Sequence, residues 1–253
     1  MRLPAVPSTL LIPLAARAHG GRCFPWLACG DAVAAGLLQR LGEDASAYLA
    51  DLPTVLNVLW RTQLIKQAAQ AFFAEHPAGQ GANLGCGLSH YFQWFDTGAN
   101  QWLDADLPEV VQLRGQLLAC GPRMRCAEVD IAKPGWWRRL GLPQGADAPP
   151  VLVICEGVLM YLEPAQVRAV LAEFARCAPR GSRLLLDVLT SWAVGHADMH
   201  PSVGPTGAQF RWGVAQTQEL ADAHPRLRLL QAHSVSECYG WPGFALESLW
   251  CPW

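Results

Sequence analysis

Four short stretches of this 253-residue chain carry glycines and acids at spacings that could do chemistry. "NLGCGLS" (83–89) sets Gly85 and Gly87 directly after an apolar strand pattern. Glycine there lets the backbone reach positive φ and lets a ligand approach where a Cβ would stand. Some twenty residues on, "WLDADLPEV" (102–110) ends the next strand in Asp104 and Asp106. A carboxylate at that point accepts hydrogen bonds from ribose hydroxyls in doubly wound sheets. "RCAEVDIAKPGWW" (125–137) closes a third strand with Asp130 and Ile131, an acid for an adenine amino group and an apolar flank for its ring. "CEGVLMYLEPAQ" (155–166) puts Glu156 straight after five apolar residues, where a charge is costly unless it has a partner.

Each signal has a plainer reading: two glycines serve an ordinary tight turn, and Asp130 serves a helix cap. The combination is more selective. Position 90 is His, so the third glycine of the dinucleotide fingerprint G-x-G-x-x-G is missing and a pyrophosphate grip is not expected. Glycines and strand-end acids without a phosphate loop describe a nucleoside without phosphates, and S-adenosylmethionine is the commonest cofactor of that kind. Its sulfonium is a cation, and the run Tyr91-Phe92-Gln93-Trp94-Phe95 offers aromatic faces that attract cations. Tyr91 is taken as a cofactor neighbour; how the run divides between cofactor wall and core is open.

For an acceptor, Tyr161, His196 and His200 are the candidate catalytic groups, with Trp192, Arg211, Trp212 and Tyr239 as further wall residues. His196 and His200 stand i, i+4, but Gly195 and Pro201 argue against a helix that would make them a pair. No metal is expected.

The elements that must hold these residues follow from periodicity. Apolar residues at helical spacing mark helices over 31–42 and 55–76, and Pro77, Gly79 and Gly81 end the second. Strands are expected at 82–85, 101–105, 125–129, 150–155 and 182–189, with helices over 107–120 and 164–178. Alternating β and α elements imply a mostly parallel sheet covered on both faces. Residues 190–214, rich in Gly, Pro, His and Trp, read as a lid insertion. A helix near 217–224 and late strands near 226–235 and 244–251 would finish the sheet in an antiparallel pair. Two regions result: an N-terminal helical cover (1–78) and a Rossmann-like core (79–253).

Composition narrows the classes. A formal charge of −2 gives no electrostatic case for nucleic acid or an anionic membrane, and no apolar run approaches the ~20 residues of a transmembrane helix. Nine scattered cysteines form no C-x-x-C pair, which points to a reducing, cytoplasmic setting. The opening "MRLPAVPSTLLIPLAARA" has the basic start and A-x-A of a leader, but Pro4, Pro7 and Pro13 interrupt its apolar stretch.

The segments "TLLIPLAARA" (9–18), "WRTQLIK" (60–66), "NLGCGLS", "WLDADLPEVVQLR" (102–114) and "CEGVLMYLEPAQV" (155–167) together resemble the leucine carboxyl methyltransferase family, in its bacterial branch. The resemblance implies an α/β class I methyltransferase fold with a seven-stranded sheet whose last strand is antiparallel. It also implies that Arg61 pairs with the methionine carboxylate of S-adenosylmethionine, with Gly85 and Gly87 beneath it. Asp106 or Asp104 would hold the ribose, Asp130 and Ile131 the adenine, and Glu156 the amino group. A guanidinium suits a carboxylate physically, because it can bind both oxygens at once. One departure stands out: the family commonly reads G-L-D-T-R at the glycine turn, whereas here Leu88-Ser89-His90-Tyr91 follows Gly87.

The expected activity is methyl transfer from S-adenosylmethionine to a small molecule, as O-methylation of a carboxyl or hydroxyl group. Two alternatives share the site. One is cyclisation of the cofactor's methionine moiety with release of methylthioadenosine, and the other is methylation of a protein carboxyl group.

Overall fold

The computed structural model describes residues 9–145 and 147–239. Five strands form one all-parallel sheet in the order β3-β2-β1-β4-β5: β1 (Gln80–Leu84), β2 (Gln101–Asp106), β3 (Met124–Glu128), β4 (Val151–Cys155) and β5 (Arg183–Leu186). The order reverses between β1 and β4, and ligands of open α/β sheets bind at the carboxyl ends of strands beside such a switch. Gly85 and Glu156 are the first residues beyond those two strands.

Strand β4 shows why the sheet sits in the middle. Its sequence is apolar without alternation because both faces are covered. Val151, Val153 and Cys155 face a core with Trp136, Trp137, Val170, Leu171 and Phe174, while Leu152 and Ile154 face Ala69, Phe72, Phe73, Phe95 and Trp102. The helices longer than four residues are α1 (Leu11–His19), α2 (Ala32–Leu41), α3 (Leu52–Glu75), α4 (Pro108–Leu117) and α5 (Pro164–Cys177) among the described residues. Their starts are written locally. Asp31 and Asp51 cap α2 and α3 by accepting the N–H of Ala34 (2.9 Å) and Thr54 (3.3 Å). Glu163 and Gln166 form a capping box at α5, with Pro164 at its first turn.

The expected seven-stranded sheet with an antiparallel last strand is corrected here: the described residues form five strands, all parallel. The segment expected as a strand at 226–235 is not a strand, and no ladder among the described residues includes it. Its alternation of Arg and Leu breaks at Leu229-Leu230, and these face solvent at 38% and 68% exposure instead of a sheet face. Strand β5 also stops at Leu186, not 189. There the Asp187 carboxylate turns to the Gly157 N–H (2.7 Å) and Arg61 (2.9 Å). The strand expected at 244–251 lies outside the described residues.

Residues 190–214 form a closed, packed loop. Its ends meet in a bridge between Thr190 and Val214. Ala197, Val203, Ala208 and Phe210 pack on Ile12 of α1 and on Met160. The expected helix near 217–224 is a single turn, Glu219–Asp222. No described helix is long and apolar enough to cross a membrane.

Candidate active site

The glycine turn between β1 and the aromatic run is built at positive φ, +63° at Gly85 and +51° at Gly87. Both positions are also short of space. A Cβ at Gly85 would stand 2.3 Å from Val158 Cγ2, and one at Gly87 2.8 Å from Leu10 Cδ2. The turn is pinned by Gly85 and Cys86, whose N–H groups both donate to the Ala105 carbonyl (2.8 and 3.2 Å). Gly87 N–H donates to Asp106 Oδ2 (2.7 Å). One strand tip thus grips the turn that follows its neighbour.

Beside the turn lies a buried charge cluster centred on Glu156. Its carboxylate accepts from Arg61 Nε (2.7 Å), from Arg17 Nη1 (3.3 Å to the nearer oxygen) and from the Tyr91 hydroxyl. Arg61 Nη1 also donates to Asp187 Oδ2 (2.9 Å), and Arg17 Nε lies 3.6 Å from Asp31. Burial works against the charge on Glu156, but the two guanidiniums and the Tyr91 hydroxyl outweigh it and hold the acid below the ordinary carboxylate range. Asp187 is pushed the other way by burial, which Arg61 offsets only in part. Two cations face three acids, Glu156, Asp187 and Asp31, so the fully ionised cluster carries one net negative charge. S-adenosylmethionine, with an ammonium, a sulfonium and a carboxylate, carries one net positive charge. The residues therefore fit that group in charge.

These groups line a cavity of about 160 Å³ between the glycine turn, α1, the first turns of α3 and the 190–214 loop. Its wall includes Arg17, Arg61, Gly85, Gly87, Glu156, Tyr161, Asp187 and His200.

Residues 27–175 match the family model described as leucine carboxyl methyltransferase. The chain belongs to that family. It is 30% identical over 236 residues, 93% of this chain and 85% of the relative, to the tetracenomycin polyketide synthesis O-methyltransferase TcmP of Streptomyces glaucescens. It is 25% identical to the S-adenosyl-L-methionine-dependent methyltransferase dpfgK of Gibberella zeae, covering 97% of this chain and 90% of that one. Among solved structures, a Thermobifida fusca protein assigned as a methyltransferase superposes with a TM-score of 0.53 at 16% identity, over 85% of this chain and 78% of that one. That likeness speaks to the fold. The chain is a class I methyltransferase that uses S-adenosylmethionine.

In this leucine carboxyl methyltransferase family member, the residues expected from sequence do not all meet in the cavity. The cavity gathers Arg61, Gly85, Gly87, Glu156, Tyr161 and His200. Asp106, Asp130 and Ile131 lie beyond its wall, at the tips of β2 and β3. Asp106 is held by the N–H groups of Gly87 and Leu107, and burial raises its carboxyl. Asp130 caps its own turn through Ala132 N–H (3.0 Å), and Ile131 packs in the core. Asp104 sits inside the sheet, fully buried, with its oxygens taken by Arg114, Trp102 Nε1 (2.9 Å) and Asn83 Nδ2 (3.4 Å). Arg114 in turn donates to the Gly87 and Ser89 carbonyls (2.7 and 2.8 Å), so this pair braces the glycine turn from behind.

The aromatic run packs mostly inward. Tyr91 is fully buried, stacked on Phe95 (5.8 Å), and carries the Arg17 guanidinium over its ring at 5.6 Å. Phe92 stacks on Trp102 (6.0 Å), and Trp94 lies under the Lys66 ammonium (4.5 Å). The cations these rings meet belong to the protein. His196 is exposed and stacks on Trp192 (5.4 Å), away from the cavity.

Three participants were not singled out from sequence. Asp187 follows "RLLL" as Glu156 follows "VLVIC", and the same rule of an acid after an apolar strand would have found it. Arg17 is the lone cation in the apolar "LLIPLAARA", and a charge in such a run needs a buried partner. Arg114 resembles any helix arginine, and no local pattern marks its role.

Proposed function

We propose that this methyltransferase esterifies a carboxylate, transferring the methyl group of S-adenosylmethionine to an ionised acid. The observation that carries the reading is the state of the titratable groups around the cavity. Glu156 and Asp187 are bonded to guanidiniums, the Tyr161 phenol is raised by burial, and burial lowers His200. Among the described lining residues, none is an unengaged acid or amine set up to remove a proton. A carboxylate needs no such help at neutral pH, whereas an alcohol does. The family description, leucine carboxyl methyltransferase, and the O-methyltransferase activity in the name of the TcmP relative support the same chemistry.

When bound, the cofactor supplies a sulfonium-activated methyl group, so the protein contributes alignment and a dry site. Arg61 would take the methionine carboxylate, exchanging part of its pairing with Glu156. Glu156 and Asp187 would take the ammonium, Gly85 and Gly87 would lie beneath the chain, and Asp106 would accept from the ribose. Asp130 and Ile131 would border the adenine. Two carboxylates beside the ammonium keep its proton on, which argues against cyclisation, since that reaction needs a free amine. The family description favours a peptide C-terminus as the carrier of the acid, and the polyketide relative's name favours a metabolite. Either carrier presents the same group to the cavity. Eight free cysteines among the described residues support a cytoplasmic setting.

The test uses tritiated-methyl S-adenosylmethionine with aromatic acids, polyketide-like acids and C-terminal leucine peptides, each beside its alcohol or amide analogue. Base-labile methyl esters formed only on acids support the proposal. Turnover of alcohols alone, or methylthioadenosine formed without any acceptor, refutes it.

A further inference from the structure

His200 reaches the cavity wall from the 190–214 loop, and its two ring nitrogens face different partners. Nδ1 accepts the backbone N–H groups of Ser202 (3.3 Å) and Val203 (3.2 Å). Nε2 lies 3.3 Å from the Thr54 hydroxyl, which lines the same cavity. In neutral imidazole one nitrogen is a donor and the other an acceptor. Two inbound N–H groups require a lone pair at Nδ1, so the proton resides on Nε2 and points to the cavity side. Protonating Nδ1 as well would set an N–H against two others.

The surroundings keep the ring in this state. Phe210 packs its edge against the imidazole at 5.9 Å. Asp51, from the start of α3, is 3.9 Å from Nδ1, but its carboxylate is already engaged by Ser202 Oγ (2.6 Å) and Thr54 N–H (3.3 Å). Burial favours the neutral ring, Asp51 opposes it, and the balance falls below the ordinary histidine value. The cavity's other ionisable groups are Tyr161, the Cys86 thiol, which burial pushes well up, and the cluster of Arg17, Arg61, Glu156 and Asp187, whose charged members are bonded to one another.

We propose that His200 is a locked hydrogen-bond donor that positions the acceptor carboxylate through Nε2–H and does not act as a general base. The proposal rests on the carboxylate reading and deepens it by assigning the group that meets the acid. Thr54 occupies the donor until an acceptor arrives. A carboxylate oxygen is a stronger acceptor than a hydroxyl, so exchange is favourable. An alcohol brought to the same place would find a donor and no base, which makes the residue selective for acids.

The test is made on the full chain with S-adenosylhomocysteine bound. Long-range 1H–15N spectra of the histidine rings, assigned through His200→Gln, read tautomer and titration together. The expected result is the Nε2–H form with a midpoint below the ordinary ~6.5. An Nδ1–H tautomer, or a midpoint at or above that value, overturns the proposal and leaves the carboxylate reading standing. Benzoate, phenylacetate and N-acetyl-leucine then serve as binding probes. His200→Leu should weaken the acid that binds wild type best by roughly tenfold, His200→Gln should stay within about threefold, and S-adenosylhomocysteine affinity should hold in both. Equal acid binding by wild type and His200→Leu overturns the proposal. If wild type binds none of the three acids while the tautomer is as stated, the carboxylate reading is what fails.

Discussion

Replacing Glu156 by Gln removes one charge from the centre of the buried cluster while keeping its shape. The lost partners are the two guanidinium contacts at 2.7 and 3.3 Å and the Tyr91 hydroxyl bond. Hydrogen bonds to charged groups contribute about 1.5–3 kcal/mol each, and breaking a buried pair on one side costs about 3–5 kcal/mol. Gln retains one acceptor oxygen, and Asp187 still partners Arg61, so a loss of about 3 kcal/mol is expected. For a chain of this size that lowers Tm by about 6–12 °C, readable by calorimetry at pH 8. The folded acid is held below its unfolded value of about 4.3. Its stabilisation is therefore complete above that pH and fades as the pH falls through the folded value. The gap between wild type and variant should accordingly shrink below about pH 4. A Tm change under about 2 °C at pH 8, or a gap that persists undiminished in acid, would refute the assignment of Glu156 as the cluster's hub.

Gly85→Ala combines positive φ with a 2.3 Å approach to Val158. A cost of about 2–5 kcal/mol is expected by chemical denaturation, and Val158→Ala should recover only the packing part. Asp104→Asn and Asp106→Asn should separate sharply. The first strips Arg114 of its buried partner and costs about 3–5 kcal/mol. The second relieves a carboxyl that burial already raises but sets an amide NH2 against the N–H of Gly87 or Leu107, so a smaller loss of about 1–2 kcal/mol is expected while calorimetric S-adenosylhomocysteine affinity falls. Cys126 is held below the ordinary thiol value, first through Cys86 and then by Arg114, against burial. Its alkylation by iodoacetamide, followed by peptide mass spectrometry, should rise with a midpoint below the ordinary ~8.5 of a free thiol, and Cys86→Ala should move that midpoint upward.

Legibility in the sequence followed how local each determinant is. The first four strands lie within a residue or two of expectation, and the helix starts within three, because caps, prolines and apolar runs act on their own neighbourhood. The end of the sheet is different: "RLRLLQAH" has strand-like composition, but strand pairing depends on a partner distant in the chain, which no short-range pattern reports. Glu156 stands out because its charge breaks an apolar strand, while at Asp187 the apolar Val188-Leu189 that follows hides an identical break. Asp104 and Asp106 look equivalent two residues apart. Arg114, ten positions later, decides that one braces the turn and the other sits at the strand tip. The two histidines, four apart, are separated by loop packing that puts His200 in the cavity and His196 against Trp192.

Four segments far apart in the chain converge on one side chain at position 156: α1 through Arg17, α3 through Arg61, the residue after the glycine turn through Tyr91, and β4 itself. Drift at any of these positions is consequently hostage to the other three. Lineages that shed the acid must exchange both guanidiniums and the phenol in concert, or pass through an intermediate too unstable to persist. Ancestral reconstructions should therefore find this quartet inherited as a block, while the bordering loop diversifies around it.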